Sequence, residues 1–124
     1  LFHIPVPLVL FDTGTYLTCP MDESEKHVFP YGEIGKYLHD YRHTNPWFKQ
    51  SDKGFFDLGD IAALVDPDIA LWQEVSCPEV DPYLSYKFKG TKGKILRCYH
   101  IDMDLTFQIL YDKLKSHYPP EGNR

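Results

Sequence analysis

The groups able to do chemistry in this chain are mostly carboxylates and imidazoles, and their spacing sorts them. Asp57 and Asp60 stand three apart in Asp57-Leu58-Gly59-Asp60. A carboxylate such as Asp60 can ligate a hard cation through oxygen. It can equally cap a helix over 61–65 by accepting the free N–H groups of the first turn. The readings are compatible, because a capping carboxylate keeps one oxygen free. Asp12 follows an apolar run and ends it, which places it where ligands gather in an open α/β sheet. A turn aspartate there also folds back on its own backbone. His39 and His43 are four apart, a metal-compatible spacing on a helix, but no Glu or Cys partner stands near them. The other histidines pair with no evident nucleophile and read as structural or surface groups. Asp102 and Asp104 resemble a carboxylate dyad, and helix capping explains them better.

Bulk properties narrow the classes. The 124 residues suit one domain or one piece of a larger one. With 43 % hydrophobic and 15 % aromatic residues the chain can build a core, unlike a disordered polymer. A formal net charge of −5 argues against a nucleic-acid partner, which needs a basic face. It is compatible with a carboxylate cluster that binds a cation. Three cysteines, Cys19, Cys77 and Cys98, are odd in number and fit no zinc spacing, so they read as buried thiols. No apolar run reaches the ~18 residues of a membrane span, so no membrane partner is expected. The chain opens on Leu1 rather than Met, and an upstream segment is expected.

The elements that must position these groups follow from hydrophobic period. Ile4 to Phe11 is short, apolar and β-rich, and reads as a strand buried on both faces of a parallel sheet. Pro5 and Pro7 fit at its entry. Asp12 to Thr15 is the turn at its end. Pro20 to Ser24 begins a short helix that Pro30 stops. Gly32 to His43 carries Ile34, Tyr37, Leu38 and Tyr41 at helical spacing, with Lys36, His39 and Arg42 outward. Thr44 to Gly54, with Asn45-Pro46, is a loop. A helix follows over 61–65 until Asp66-Pro67. Strands are expected over 71–77, 84–89 and 94–101, with a turn at 90–93, forming a β-hairpin. Asp102 then caps a final helix whose Phe107, Leu110 and Leu114 share one face. The order of strand, helix, helix, hairpin and helix is thin as a free-standing fold. It makes sense as the closing section of an α/β domain.

Four of these stretches, in order, resemble the C-terminal portion of the inosine–uridine-preferring nucleoside hydrolases. Ile4-Pro5-Val6-Pro7-Leu8-Val9-Leu10-Phe11-Asp12-Thr13, with Leu17-Thr18, is similar to that family's strand, Asp-containing turn and Leu-Thr pair. Gly32 to Tyr41 is similar to the helix after it. Leu58-Gly59-Asp60-Ile61-Ala62-Ala63-Leu64, with Asp66-Pro67, resembles the His-Asp-Pro-x-Ala-Val segment and the Asp-Pro-Ser that closes it. Gly90 to Leu114 resembles the closing hairpin, strand and helix. The resemblance implies an open α/β sheet containing a parallel strand, helices, a β-hairpin and a final helix.

It also implies a function: calcium-dependent hydrolysis of the N-glycosidic bond of a ribonucleoside. In that family Ca²⁺ is held by carboxylates and binds the ribose hydroxyls and a water, and an Asp takes a proton from the water. By the same resemblance Asp60 is a metal ligand, and Tyr41, Trp47 and Asp12 are substrate-binding residues. An aromatic such as Tyr41 or Trp47 can stack on a nucleobase, although Tyr41 also fits the core face of its helix and Trp47 a half-buried loop position. The N-terminal Asp-x-Asp-x-x-x-Asp-Asp cluster of the family is absent from this sequence. No catalytic base is therefore assigned here, and a missing N-terminal half or a second chain is expected as partner, with a homo-oligomer in keeping with the family. Gly59 departs from the family's His, which removes a ribose contact. The alternative reading is a non-catalytic binding protein that retains part of the scaffold.

Overall fold

Strand β7 (Lys94–Ile101) is the element on which the structure is built. In this computed structural model, which describes residues 7–44, 52–88 and 93–118, β7 is the middle strand of a three-stranded sheet. Strand β1 (Val9–Phe11) lies parallel to it, Val9 opposite Leu96 and Phe11 opposite Cys98. Strand β4 (Ala70–Ser76) lies antiparallel on the other side, from Ala70 opposite Ile101 to Ser76 opposite Lys94. A bulge at Leu71/Trp72 leaves Tyr99 unopposed. The extra residue turns the strand so that Cys98 and Ile101, three apart, both reach full burial.

Four α-helices accompany the sheet among the described residues: α1 (Met21–His27), α2 (Gly32–Thr44), α3 (Leu58–Val65) and α4 (Met103–His117). The fold is mixed α/β with a small mixed sheet. Two short antiparallel pairs complete it, β2 (Thr18–Pro20) with β3 (Asp52–Gly54), and β5 (Glu79–Val80) with β6 (Tyr86–Lys87).

Two apolar clusters hold these layers together. Ala62 and Ala63 of α3 bury against Ile69, Ala70, Cys98 and Ile101, with Phe11, Trp72 and Ile109 at the margin. Leu17, Cys19 and Phe107 form the second, flanked by Phe55, Leu58, Leu110 and Tyr111. Gly59 stands where the clusters meet. A Cβ added there would lie 2.7 Å from Ile101 Cδ1 and 2.8 Å from Leu17 Cδ1. Its bare backbone is what lets α3 approach both.

Helix α4 follows the sequence expectation. The Asp102 carboxylate accepts from Leu105 N–H at 2.9 Å, and Phe107 and Leu114 are buried.

Several expectations are corrected. Helix α3 begins at Leu58, so Asp60 lies inside its first turn and is not its cap. Asp57 occupies the capping position without a side-chain hydrogen bond. The strand before Asp12 is described only over Val9–Phe11. Among the described residues it is an edge strand, with Val9 48 % exposed, rather than one buried on both faces. The antiparallel partner of β7 is β4, a longer and better matched strand than 84–89, of which only Tyr86–Lys87 is extended among the described residues. The loop expected over 44–54 contains β3.

The buried face of α2 also differs from that expected. Ile34, Tyr37 and Tyr41 are exposed, and Gly35 and His39 are buried, while Leu38 is half-buried and Lys36 exposed as expected. Gly35 explains the difference. Its Cβ would stand 2.0 Å from the Val28 carbonyl oxygen, so α2 turns its smallest residue toward the preceding loop. His39 then meets Ser24 of α1, Nδ1 to Oγ at 2.9 Å.

The turn after β1 is pinned by Tyr16. Its hydroxyl accepts from Ile101 N–H at 2.8 Å and donates to the Ile101 carbonyl at 2.9 Å. Tyr16→Phe keeps the ring and leaves the Ile101 backbone groups without that partner. It is expected to cost ~1–3 kcal/mol of stability in urea unfolding. A change within ~0.5 kcal/mol would mean that water replaces the hydroxyl freely.

Candidate functional site at the carboxyl end of the parallel strands

The parallel pair β1–β7 has one end at which side chains of several elements meet. Asp12 follows β1 directly, and its N–H donates to the Cys98 carbonyl at 3.4 Å. Its Oδ2 accepts from Arg97 Nε at 2.7 Å, a charge-assisted bond between strands. Arg97 Nη1 donates to Gln73 Oε1 at 3.1 Å, and the guanidinium lies 5.0 Å from the centre of the Phe88 ring. Arg97 is thus held on three sides. The other oxygen, Asp12 Oδ1, is buried and has no hydrogen-bond partner among the described residues. A buried carboxylate oxygen left without a donor is costly.

Asp60 reaches the same region from α3. Its carboxyl is pushed above the usual carboxylate range, first by burial and then by the neighbouring charge of Asp57. The Cys98 thiol is also pushed up, mainly by burial. A backbone hydrogen bond from His100 opposes that shift, and the charges of Asp60 and Asp12 add to it. Both carboxylates therefore bear on one thiol at the end of the strand pair. A thiol held protonated in this way is not a nucleophile at neutral pH.

On the outer side of this end, His100 stacks on Tyr16, ring centres 5.8 Å apart and planes 22° apart. With Thr18, Asp102, Met103 and Asp104 they line an open hollow of about 380 Å³. Asp102 is committed to its cap, so the caps explain one carboxylate of the pair and not Asp104.

The remaining expected site residues lie elsewhere. Tyr41 stacks on Tyr37 on the outer face of α2, ring centres 5.7 Å apart, in a separate hollow with Glu33, Lys36 and Asp40. Trp47 lies outside the described residues, as does the side chain of His43. His39 is buried, and the Ser24 hydroxyl it meets is fully buried too, so no substrate reaches the pair and its role is structural.

A calcium ion needs six to eight oxygen ligands. Among the described residues no group of three His, Cys, Asp or Glu side chains is placed to hold a metal. The carboxylates at this end do not make a calcium site by themselves. Nor is any helix among the described residues long and apolar enough to cross a membrane.

Sequence reasoning missed Arg97, Gln73, Tyr16 and His100. Their roles depend on which strands pair and where β7 bulges, and neither leaves a local signal. Asp12 was found because it ends an apolar run. The chain matches no known protein family, no curated protein and no solved structure.

Proposed function

We propose that this chain is the C-terminal part of a calcium-dependent hydrolase of the N-glycosidic bond of ribonucleosides, completed by a segment that carries an acidic cluster. The observation that carries the reading is that Asp12, at the carboxyl end of β1, and α3, the helix that bears Asp60, both lie against Cys98 of β7. Ligands of open α/β sheets bind at that end. A carboxylate whose proton is held by burial and by a second carboxylate is one that a cation would relieve.

In this reading Asp60 is the one metal-directed carboxylate the chain contributes, and its further ligands come from the completing segment. Asp12 stands at the rim of the site as a substrate-facing carboxylate, and Arg97 fixes it through Oδ2. As the glycosidic bond breaks, positive charge develops on the sugar, and fixed carboxylates at the rim favour it.

Ribose release tests this. The chain alone, given Ca²⁺ and a nucleoside, is expected to release no reducing sugar. Adding a polypeptide with the acidic cluster is expected to restore release. Turnover by the chain alone, or none with any such polypeptide, would contradict the proposal.

A second reading, a non-catalytic binding protein on part of the same scaffold, is favoured by Gly59. Where the family carries an imidazole, this helix has no side chain and no room for one beside Ile101 and Leu17. Nucleoside binding without ribose release in the complete assembly would decide for it.

A further inference from the structure

The hollow at the end of β7 carries an inference that stands apart from the hydrolase reading, because it needs neither calcium nor the completing segment. Three segments build it. The turn after β1 supplies Tyr16, β2 supplies Thr18, and the junction of β7 with α4 supplies His100, Asp102, Met103 and Asp104. Its volume of about 380 Å³ lies in the range of small-molecule sites. It opens at the carboxyl end of the parallel strands, where ligands of open α/β sheets bind. It is separate from the hollow on α2 that holds Tyr41.

Its rings form a fixed platform. The Tyr16 hydroxyl accepts from the Ile101 N–H and donates to the Ile101 carbonyl, so its ring cannot swing away from β7. His100 lies on that ring, centres 5.8 Å apart and planes 22° apart. Both rings remain open to solvent, His100 exposed and Tyr16 39 % exposed. Met103 follows at the start of α4, 38 % exposed, and a flexible thioether adapts to the face or edge of an aromatic ring. The Asp102 carboxylate is occupied by the Leu105 N–H, whereas Asp104 is exposed and takes no part in the cap. No Lys or Arg lines the hollow among the described residues. The amino end of α4 contributes about half a positive charge, which two carboxylates outweigh. The hollow therefore disfavours anions.

We propose that this hollow binds an uncharged planar nitrogen heterocycle that bears N–H donors, a ring of nucleobase size. The ring stacks on His100 with Met103 beside it, and one of its N–H groups donates to the Asp104 carboxylate. Stacking selects a flat ligand. The carboxylate selects one with an N–H, through a charge-assisted bond. A platform held in place before the ligand arrives loses little freedom on binding.

Nuclear magnetic resonance of the full chain, titrated with uracil and with 1,3-dimethyluracil, tests this. Uracil is expected to give saturable shifts with a Kd of about 1–10 mM, the scale for so small a ligand. The largest shifts should fall on the His100 and Tyr16 rings and the Met103 methyl. The dimethyl ring has the same flat shape and no N–H, and should bind at least ~5-fold more weakly. His100→Ala should weaken uracil at least ~5-fold, the lower end of what a base loses with its aromatic partner. Asp104→Ala should make the two rings bind alike. Both residues are exposed, so far-UV circular dichroism should be unchanged in either variant. No saturable shift with uracil, shifts remote from His100 and Met103, or equal affinity of the unaltered chain for the two rings would overturn the proposal. The chain is titrated alone, so a failure here leaves the ribose-release test standing, and an absence of ribose release leaves this site standing.

Discussion

Asp60→Asn is expected to lower kcat/KM of the complete assembly for nucleoside hydrolysis at least ~100-fold, the scale of losing one preorganised charged group from a site. The same substitution is expected to stabilise the isolated chain at neutral pH. Burial, and after it the charge of Asp57, raises the Asp60 carboxyl in the folded state. A group whose folded value lies above its unfolded value binds its proton more tightly when folded. Its contribution is fully present below the unfolded value and is lost as pH rises through the folded one. Ionised Asp60 therefore works against folding at neutral pH, and an amide of the same shape removes that penalty. Urea midpoints of the two proteins should diverge as pH rises from acid to neutral, with the Asn variant higher. Stability gained together with turnover lost is the signature of a residue kept for function. A variant that is less stable at neutral pH, or one that retains turnover, would make Asp60 an ordinary helix residue.

Gly35→Ala is expected to destabilise the chain by about 3 kcal/mol or more, read from urea unfolding. Helix propensity alone predicts the opposite sign, a gain of ~1 kcal/mol for Ala over Gly inside a helix. The clash decides: a Cβ at Gly35 would stand 2.0 Å from the Val28 carbonyl oxygen, and a backbone atom cannot rotate aside. Helix α2 would have to lift from the loop, which would pull His39 from Ser24. A stabilised Gly35→Ala protein would mean that α2 does not sit on the Val28 carbonyl at all.

The contrast between α4 and α2 shows what could be read in advance. In α4 the apolar Phe107 and Leu114 are buried and the charged Asp104, Asp112, Lys113 and Lys115 are exposed, so the period alone identifies the buried side. In α2 both faces carry residues able to pack, and the face is chosen by Gly35 and by a polar contact between Ser24 and His39. Hydrophobic period has no term for a glycine that permits close approach. The sheet divides likewise. Strand β1 is visible as an apolar run and β7 as an alternation of apolar and polar residues. The pairing of β2 with β3 joins two three-residue segments far apart in sequence, and neither is long enough to show a period.

The candidate site is half legible for the same reason. Asp12 and Asp60 are visible from their places at the ends of apolar segments. The ion pair of Asp12 with Arg97 is not, because it exists only once β1 lies parallel to β7 in the register that sets Leu10 beside Arg97. Tyr41 is legible as a helical aromatic, but the side of the helix it occupies is not.

The central claim is that the site at Asp60 and Asp12 is completed by a segment outside this sequence. The most direct measurement is the intact composition of the native species that contains this chain, by native mass spectrometry with sequencing of everything bound to it. The account predicts a polypeptide carrying an Asp-x-Asp-x-x-x-Asp-Asp cluster, either continuous with this chain or tightly bound to it. A native species built from this chain alone, in any copy number, would contradict it.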